Sequence, residues 1–261
     1  MTQAMTIPFT KMHGLGNDFI IVDTREREYP LDTNTIRTMS DRHHGIGCDQ
    51  FVTLSAPTNP KADVLVRFFN ADGSEAGACG NASRCVAKFV GNNPVLQTQN
   101  GLLPTYQQDD LFTVNMGKPH LDWQSVPLSE AHDTLHLPLH DAAACSMGNP
   151  HATLFGDVSQ AEELGPSLEN APLFPERANI GFAQILSPNH MRLRVWERGA
   201  GLTLACGSGA CAAVVNASRR NLTEKTCRVT MDGGDLSITW QEDGTVLMTG
   251  PATLVFHGEF A

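Results

Sequence analysis

The feature that most constrains this chain is that its first half is repeated, at low identity, in its second. In the first half "HGLGNDFIIVD" (13–23) is followed by "VRFFNADGSEAGACGNASRCVAKFV" (66–90). In the second, "CSMGNPHATLF" (145–155) is followed by "LRVWERGAGLTLACGSGACAAVVN" (193–216). The pairs Gly16-Asn17 and Gly148-Asn149 match, and extended apolar runs end at Asn70 and at Glu197. The interval from Asn70 to Cys79 equals that from Glu197 to Cys206, and a Cys-Gly step opens a small-residue run in both halves. Four matches in one order predict a duplicated fold. Each half supplies a Gly-Asn turn, a strand, a polar loop, a Cys-Gly and a helix.

Local patterning agrees. "DVLVRFFN" (63–70) and "HMRLRVWERG" (190–199) are rich in β-branched and aromatic residues, and the second alternates from Met191 to Trp196. After Gly80 the apolar positions Ala82, Cys85, Val86, Phe89 and Val90 follow helical spacing, closed by Gly91. From Ala210 to Val215 the run is apolar on every side, which predicts a fully buried helix with sheet around it. "FIIVD", "FVTLS", "LFTVNM", "TLHLPL", "NIGFAQIL", "CRVTM", "DLSITW" and "VLMTGPATLVF" read as further strands, with turns at "DGGDL" and "QEDGTV". The expected architecture is α+β: two pseudo-symmetric barrel-like domains, each wrapping strands around a central helix. The boundary is expected near residue 120, giving domains 1–119 and 120–250 with a site in the cleft between them.

Several function classes are disfavoured. The net charge is −10, with no Lys/Arg stripe to neutralise phosphates, so nucleic acid is not an expected partner. No apolar run approaches the roughly 18 residues of a membrane span, and the N-terminal stretch lacks a signal-peptide pattern. A cytoplasmic location is the expectation. Seven cysteines form an odd set that does not suit a disulfide framework. The spacings Cys79-x5-Cys85 and Cys206-x4-Cys211 are not zinc knuckles, so no metal is expected. "GIGCDQ" (45–50) lacks the spacing of a dinucleotide-binding loop.

What remains is a thiol at the mouth of a helix, twice. Backbone N–H groups of a first turn favour a thiolate and also bind a carboxylate. Gly lets a ligand approach, and Asn81 or Ser208 can cap. Two such helix starts converging on one carboxylate would place the sulfurs on opposite sides of the carbon that bears it. Inversion of an α-carbon needs this arrangement: one group removes the proton while another delivers one from behind. Two like groups around one substrate also favour the one-thiolate, one-thiol state. The chemistry expected is cofactor-independent epimerisation of an amino acid. Two alternatives stand beside it: a thiol–disulfide redox pair formed by Cys79 and Cys206, and a non-catalytic amino-acid binder. Cys48, Cys85, Cys145, Cys211 and Cys227 read as core packing.

The chain resembles the diaminopimelate epimerase family nearly end to end. The resemblance is carried by "KMHGLGNDFIIVD", "NADGSEAGACGNASRC", "SMGNPH", "WERGAGLTLACGSGACA" and "MTGPATLVFHGEF". It implies a pyridoxal-independent isomerase of lysine biosynthesis that interconverts the LL and meso forms of 2,6-diaminoheptanedioate, with no cofactor and as a homodimer. It also implies that the last strand, about 251–261, completes the first domain. Cys79 and Cys206 match the family's catalytic pair. Substrate-binding positions carry over to Asn17, Gln50, Asn70, Gly80, Asn81, Asn149, Asn179, Glu197, Arg198, Gly207 and Ser208, with His151 in support. In those roles Arg198 would fork onto the distal carboxylate with Asn70, Asn149 and Asn179 completing its hydrogen bonds. Glu197, Asn17 and Gln50 would accept from the reacting ammonium, and His151 would either orient Glu197 or satisfy a buried carbonyl. A proline-type racemase on the same scaffold is the rival within enzymes, but it would leave Arg198 and the asparagines without a purpose. The chain departs from the common pattern at Ala82, Ser83, Leu202 and Ser208. None of these removes a proposed catalytic atom.

Overall fold

The computed structural model describes residues 6–77 and 79–261. It divides into two compact units, Met1–Val114 with Pro251–Ala261, and Asn115–Gly250. The division falls N-terminal to the boundary expected from sequence. Met116 and Gly117 already belong with the second unit, trading backbone hydrogen bonds with Val246.

The first unit begins with a hairpin of β1 (Ile7–Gly14) and β2 (Asn17–Asp23). Its turn residues Leu15 and Gly16 have φ of 57° and 86°, the left-handed pair that matches strand twist in a two-residue connection. Helix α1 (Thr33–Ser40), capped by the Asp32 carboxylate, leads to β3 (Gln50–Ser55). β3 runs parallel to β2 and antiparallel to β4 (Val64–Asn70), which pairs with the short β5 (Glu75–Ala76). Then come α2 (Gly80–Val90), β6 (Val95–Thr98) parallel to β4, and the antiparallel β7 (Gly101–Gln108) and β8 (Leu111–Asn115). The C-terminal strand Thr253–Phe260 lies antiparallel to β1.

The second unit repeats this order. β9 (Ala143–Ser146) and β10 (Pro150–Phe155) form the hairpin, followed by α3 (Ala161–Glu169). β11 (Asn179–Ser187) runs parallel to β10 and antiparallel to β12 (His190–Glu197), which pairs with the short β13 (Gly201–Leu202). Helix α4 (Gly207–Arg219) leads to β14 (Thr226–Met231) parallel to β12, then the antiparallel β15 (Gly234–Trp240) and β16 (Val246–Pro251). The C-terminal strand is therefore β17. Both units are α+β, and their pairing patterns match from the hairpin to the last antiparallel pair, with β17 added to the first.

Each repeat is built around its second helix. Ala82, Cys85, Val86 and Ala87 of α2 share one core with Met12, Phe19, Ile21, Val52, Leu54, Val66, Phe68 and Leu96 from the surrounding strands. α4 touches β9, β10, β11, β12, β14 and β15, and its residues from Gly209 to Ala217 are all buried. Burying Val214 and Val215 contributes about 2 kcal/mol each, so α4 is held on every side. The first helices lie on the outer faces. β2 alternates accordingly, with Phe19 and Ile21 in the α2 core and Ile20 and Val22 against Ile36 and Met39 of α1.

Two expectations fail. "TLHLPL" (134–139) is not a strand. Its alternation reflects a loop pinned at intervals: the Thr134 hydroxyl donates to Leu121, the Leu137 N–H to Ala142, and Arg220 to the Leu135 carbonyl. "VLMTGPATLVF" is two strands, broken at Ala252 between Pro251 and Thr253.

One polar side chain fixes α4 along its axis. Asn216 is fully buried and donates to the Ala143 carbonyl and the Thr153 hydroxyl, both at 3.1 Å. Asn216→Leu fills the volume but strands both acceptors, so the thermal unfolding midpoint is expected to fall with a loss of about 2 kcal/mol.

Candidate functional site

In the first unit Cys79 is the residue immediately before α2, in extended conformation (φ −148°, ψ 108°). Its carbonyl accepts from Ser83 N–H and hydroxyl at 2.9 and 2.8 Å, and its sulfur accepts from Ala82 N–H at 3.4 Å. The thiol thus takes the place that Ser or Asp usually occupies at a helix start. Asn17, the first residue of β2, reaches it from the hairpin: Oδ1 lies 3.9 Å from Sγ and accepts from Asn81 Nδ2 at 3.1 Å. Gln50 and Asn70 face each other across β3 and β4, with Gln50 Nε2 donating to Asn70 Oδ1 at 3.4 Å. The sequence reading assigned these two amides to opposite ends of a ligand. The strand register makes them neighbours.

In the second unit Cys206 precedes α4 in the same extended conformation (φ −119°, ψ 108°) and is 4% exposed. Its Sγ donates to Glu197 Oε2 at 3.0 Å, and the other oxygen of that carboxylate accepts from the Thr203 hydroxyl. Ser208 Oγ stands 3.7 Å from the sulfur. Burial raises this thiol's pKa well above the ordinary range, and Glu197 raises it further by its charge and as hydrogen-bond acceptor. The Gly209 N–H and Ser208 hydroxyl pull the other way and are outweighed. A helix start alone was expected to favour a thiolate. At Cys206 desolvation and a carboxylate reverse that tendency, and the resting group is a thiol.

The registers put the two sets of side chains in one-to-one correspondence. Phe19 pairs with Gln50 as His151 pairs with Asn179. Continuing the β11–β12 register sets Asn179 opposite Glu197 as Gln50 is opposite Asn70. Asn17, Gln50, Asn70 and Cys79 are therefore the counterparts of Asn149, Asn179, Glu197 and Cys206. The cysteines are kept, while a neutral Asn70 stands where the other unit carries a charged Glu197.

The remaining positions of the second unit bond within that unit. His151 does not contact Glu197: its Nε2 lies 3.0 Å from both Asn149 Oδ1 and Ser208 Oγ. It is wholly buried, and desolvation first, then the charge of Arg198, lowers its pKa from 6.5 to about 3. Asn149 turns toward Ser208 at 3.4 Å. Asn179 is committed within the unit, donating to the Pro150 carbonyl at 2.9 Å and accepting from the Arg198 N–H at 3.0 Å. It thereby places Arg198, whose exposed guanidinium donates to the Glu176 carbonyl. Gly80 and Asn81 open α2, as Gly207 and Ser208 open α4.

Three contributors went unnoticed in the sequence. Thr203 holds Glu197. Glu169 is 6% exposed and accepts from Trp196 Nε1 and the Gly199 N–H at 2.8 Å, fixing the turn that carries Arg198. Asp49 accepts from Asn17 Nδ2 at 2.9 Å. Only the short Glu197-to-Thr203 spacing within one strand–turn–strand could have signalled its contact. The other thiols pack: burial pushes Cys85 and Cys145 up to about 12 and Cys227 to about 11. Among the described residues no group of three or more His, Cys, Asp or Glu could hold a metal ion, and no helix is long and apolar enough to cross a membrane.

The profile of the diaminopimelate epimerase family matches residues 9–121 and again 143–255. A diaminopimelate epimerase of Gluconobacter oxydans is 76% identical over 257 residues, covering 98% of this chain and 100% of that protein. One of Acidiphilium cryptum is 52% identical, covering 97% of this chain and 95% of that protein. Among solved structures, a probable proline racemase from Agrobacterium radiobacter superposes with a TM-score of 0.71 at 14% identity, covering 98% of this chain and 93% of that one. A hydroxyproline epimerase from Agrobacterium vitis gives 0.70 at 13% identity, covering 100% and 94%. At such identity these structures share the fold.

The buried His151 gives stability a pH dependence. The unfolded chain takes up this proton below about pH 6.5, whereas the folded chain resists until about pH 3. Stability contributed by the neutral ring is therefore lost as pH falls through that window. Urea unfolding of wild type and His151→Gln at pH 7 and pH 4 is expected to show a pH dependence smaller in the variant by about 3 kcal/mol.

Proposed function

The chain belongs to the diaminopimelate epimerase family, and we propose that it interconverts LL- and meso-2,6-diaminoheptanedioate through Cys79 and Cys206 acting on opposite faces of one α-carbon. The observation that carries this reading is the pair of cysteines at equivalent positions of two repeats, each immediately before a buried helix. A thiolate takes the α-proton and becomes a thiol, and the opposite thiol gives its proton to the other face and becomes a thiolate. Each turnover exchanges the two protonation states, so the same groups run the reaction in reverse.

The surroundings support a division of labour. Burial and Glu197 hold Cys206 as a thiol at rest, which suits it to deliver the first proton, and Glu197 can receive that proton when Cys206 must serve as base. Main-chain N–H groups of Gly80, Asn81, Gly207 and Ser208 stabilise the negative charge that builds on the reacting carboxylate. Asn17 accepts from the reacting ammonium. At the distal end Arg198 takes the carboxylate, with Gln50, Asn70 and Asn149 offering amides and Asn179 holding Arg198 in place. His151, uncharged at working pH, keeps Asn149 and Ser208 aligned. Both proton transfers are supplied by sulfur, so the scheme calls for no pyridoxal group.

We also place the protein in the cytoplasm as a homodimer. Leu254, Val255 and Phe256 of β17 are 43%, 51% and 46% exposed, large apolar side chains that a second copy would cover. Phe256→Asp is expected to convert a dimer to a monomer in light scattering after gel filtration.

Incubation of LL- or meso-substrate in heavy water, followed by NMR, tests the activity. The α-proton signal is expected to disappear with wild-type protein, and epimerisation to fall by at least about 10³-fold in Cys79→Ala and in Cys206→Ala. Serine at either position is expected to be nearly as damaging, because a hydroxyl is a far poorer proton acceptor near pH 7. Binding with the α-proton left in place would make the protein a binder instead, and turnover of proline would point to the racemase.

A further inference from the structure

Asn17 presents its carbonyl, not its amino group, to the thiol of Cys79. A side-chain amide has two ends of similar size, so its orientation is set by its partners. The partner here is Asp49. Asn17 Nδ2 donates to Asp49 Oδ2 at 2.9 Å, and because a carboxylate only accepts, the amino group must face it. Oδ1 then points toward Sγ and toward Asn81 Nδ2.

Asp49 is itself fixed. The same Oδ2 accepts from the Asp18 N–H at 3.1 Å, and Oδ1 from Arg42 at 2.7 Å. The Asp49 N–H bonds back to Asp18, at 2.9 Å to Oδ1 and 3.0 Å to the carbonyl. Asp18 shares Arg42 at 2.7 Å and pairs with the buried Lys11 at 2.6 Å. An exposed ion pair alone would hold little. This one is cross-linked through backbone at both aspartates.

We propose that Asp49 is a positioning residue of the reaction: it locks the Asn17 amide so that an acceptor faces Cys79 and the substrate's ammonium. The inference rests on the proposed function for the ammonium and on geometry alone for the thiol. With the amide reversed, an amino group would oppose the ammonium and would donate to a Cys79 thiolate, making it a weaker base.

Asp49→Asn keeps the shape but can meet Asn17 with either a donor or an acceptor, so the lock is lost. For the epimerase reaction KM is expected to rise about 10-fold with kcat less affected. Independently of substrate, alkylation of Cys79 by iodoacetamide at pH 7, followed by mass spectrometry in a Cys206→Ala background, is expected to accelerate about 3- to 10-fold. Both changes are expected to vanish when Asn17→Ala is already present. Alkylation unchanged by Asp49→Asn would overturn the proposal. So would an equal acceleration in the Asn17→Ala background, since loss of the Asp49 charge would then suffice. If alkylation responds as expected while wild-type protein fails to exchange the α-proton, the lock stands and the assigned reaction falls.

Discussion

Everything at this site depends on the burial of two helices by the strands of their own units. A helix packed on one face can rock. α4, with β9 through β12, β14 and β15 around it, has no direction in which to move. The residue before its first turn is then placed by the core. Gly209 shows how tightly: a Cβ there would come within 2.9 Å of Val195 Cγ2 and 3.2 Å of the Cys206 sulfur. The thiol is held by packing from below and from the side by Glu197, which Thr203 fixes in turn. Its position is a property of the fold, not of a loop.

Duplication explains why there are two such positions, and divergence explains why they differ. The strand registers keep Asn17 with Asn149, Gln50 with Asn179, and Cys79 with Cys206. At the fourth position one repeat has Asn70 and the other Glu197, which puts a carboxylate beside the second thiol. In the second unit a carboxylate within 3.0 Å of the sulfur adds to desolvation and holds the proton on. In the first unit the sulfur meets an amide carbonyl at 3.9 Å and a backbone N–H at 3.4 Å. Two identical thiols would divide one proton between them only by mutual repulsion. On the proposed reaction, the Glu197 carboxylate biases the resting proton toward Cys206 before a ligand arrives.

The repeat, the α+β class, the two central helices and the helix-start cysteines were legible because each is written within a short stretch. A Cys-Gly before a run of small residues, at a fixed interval after a strand, needs no knowledge of distant partners. α1 and α3 were not foreseen. The first is short and rich in Thr and Asn, and the second contains Gly165 and Pro166, both poor helix formers, with Gly165 required by its packing against the Trp196 ring. "TLHLPL" misled because a pinned loop can alternate as a strand does. Among the candidate site residues, Asn179 and His151 have partners that sequence alone does not show. Their hydrogen bonds run to Pro150, Arg198, Asn149 and Ser208, and only the β10–β11 register brings those atoms together. Glu169 and Asp49 stayed hidden for the same reason, their charges reading as surface until the turn and the amide they serve were in place.

The pattern of what diverged follows from the chemistry proposed. Inversion makes a symmetric demand at one carbon: whatever removes a proton from one face must, in the reverse direction, return it, so both faces need a group able to do either. Cysteine fits on both sides, and the repeats retain it. Recognition of a second amino-acid end makes no such demand, since one guanidinium for its carboxylate need not be duplicated. Arg198 accordingly has an alanine, Ala71, as its counterpart in the first repeat, and the apparatus that steadies it, Asn179 and Glu169, lies wholly in the second. A buried His151 that stays neutral serves the same economy of charge. On the proposed reaction, a second positive group beside Arg198 would compete for the distal carboxylate and weaken Glu197 as a proton acceptor, and desolvation of that ring prevents both.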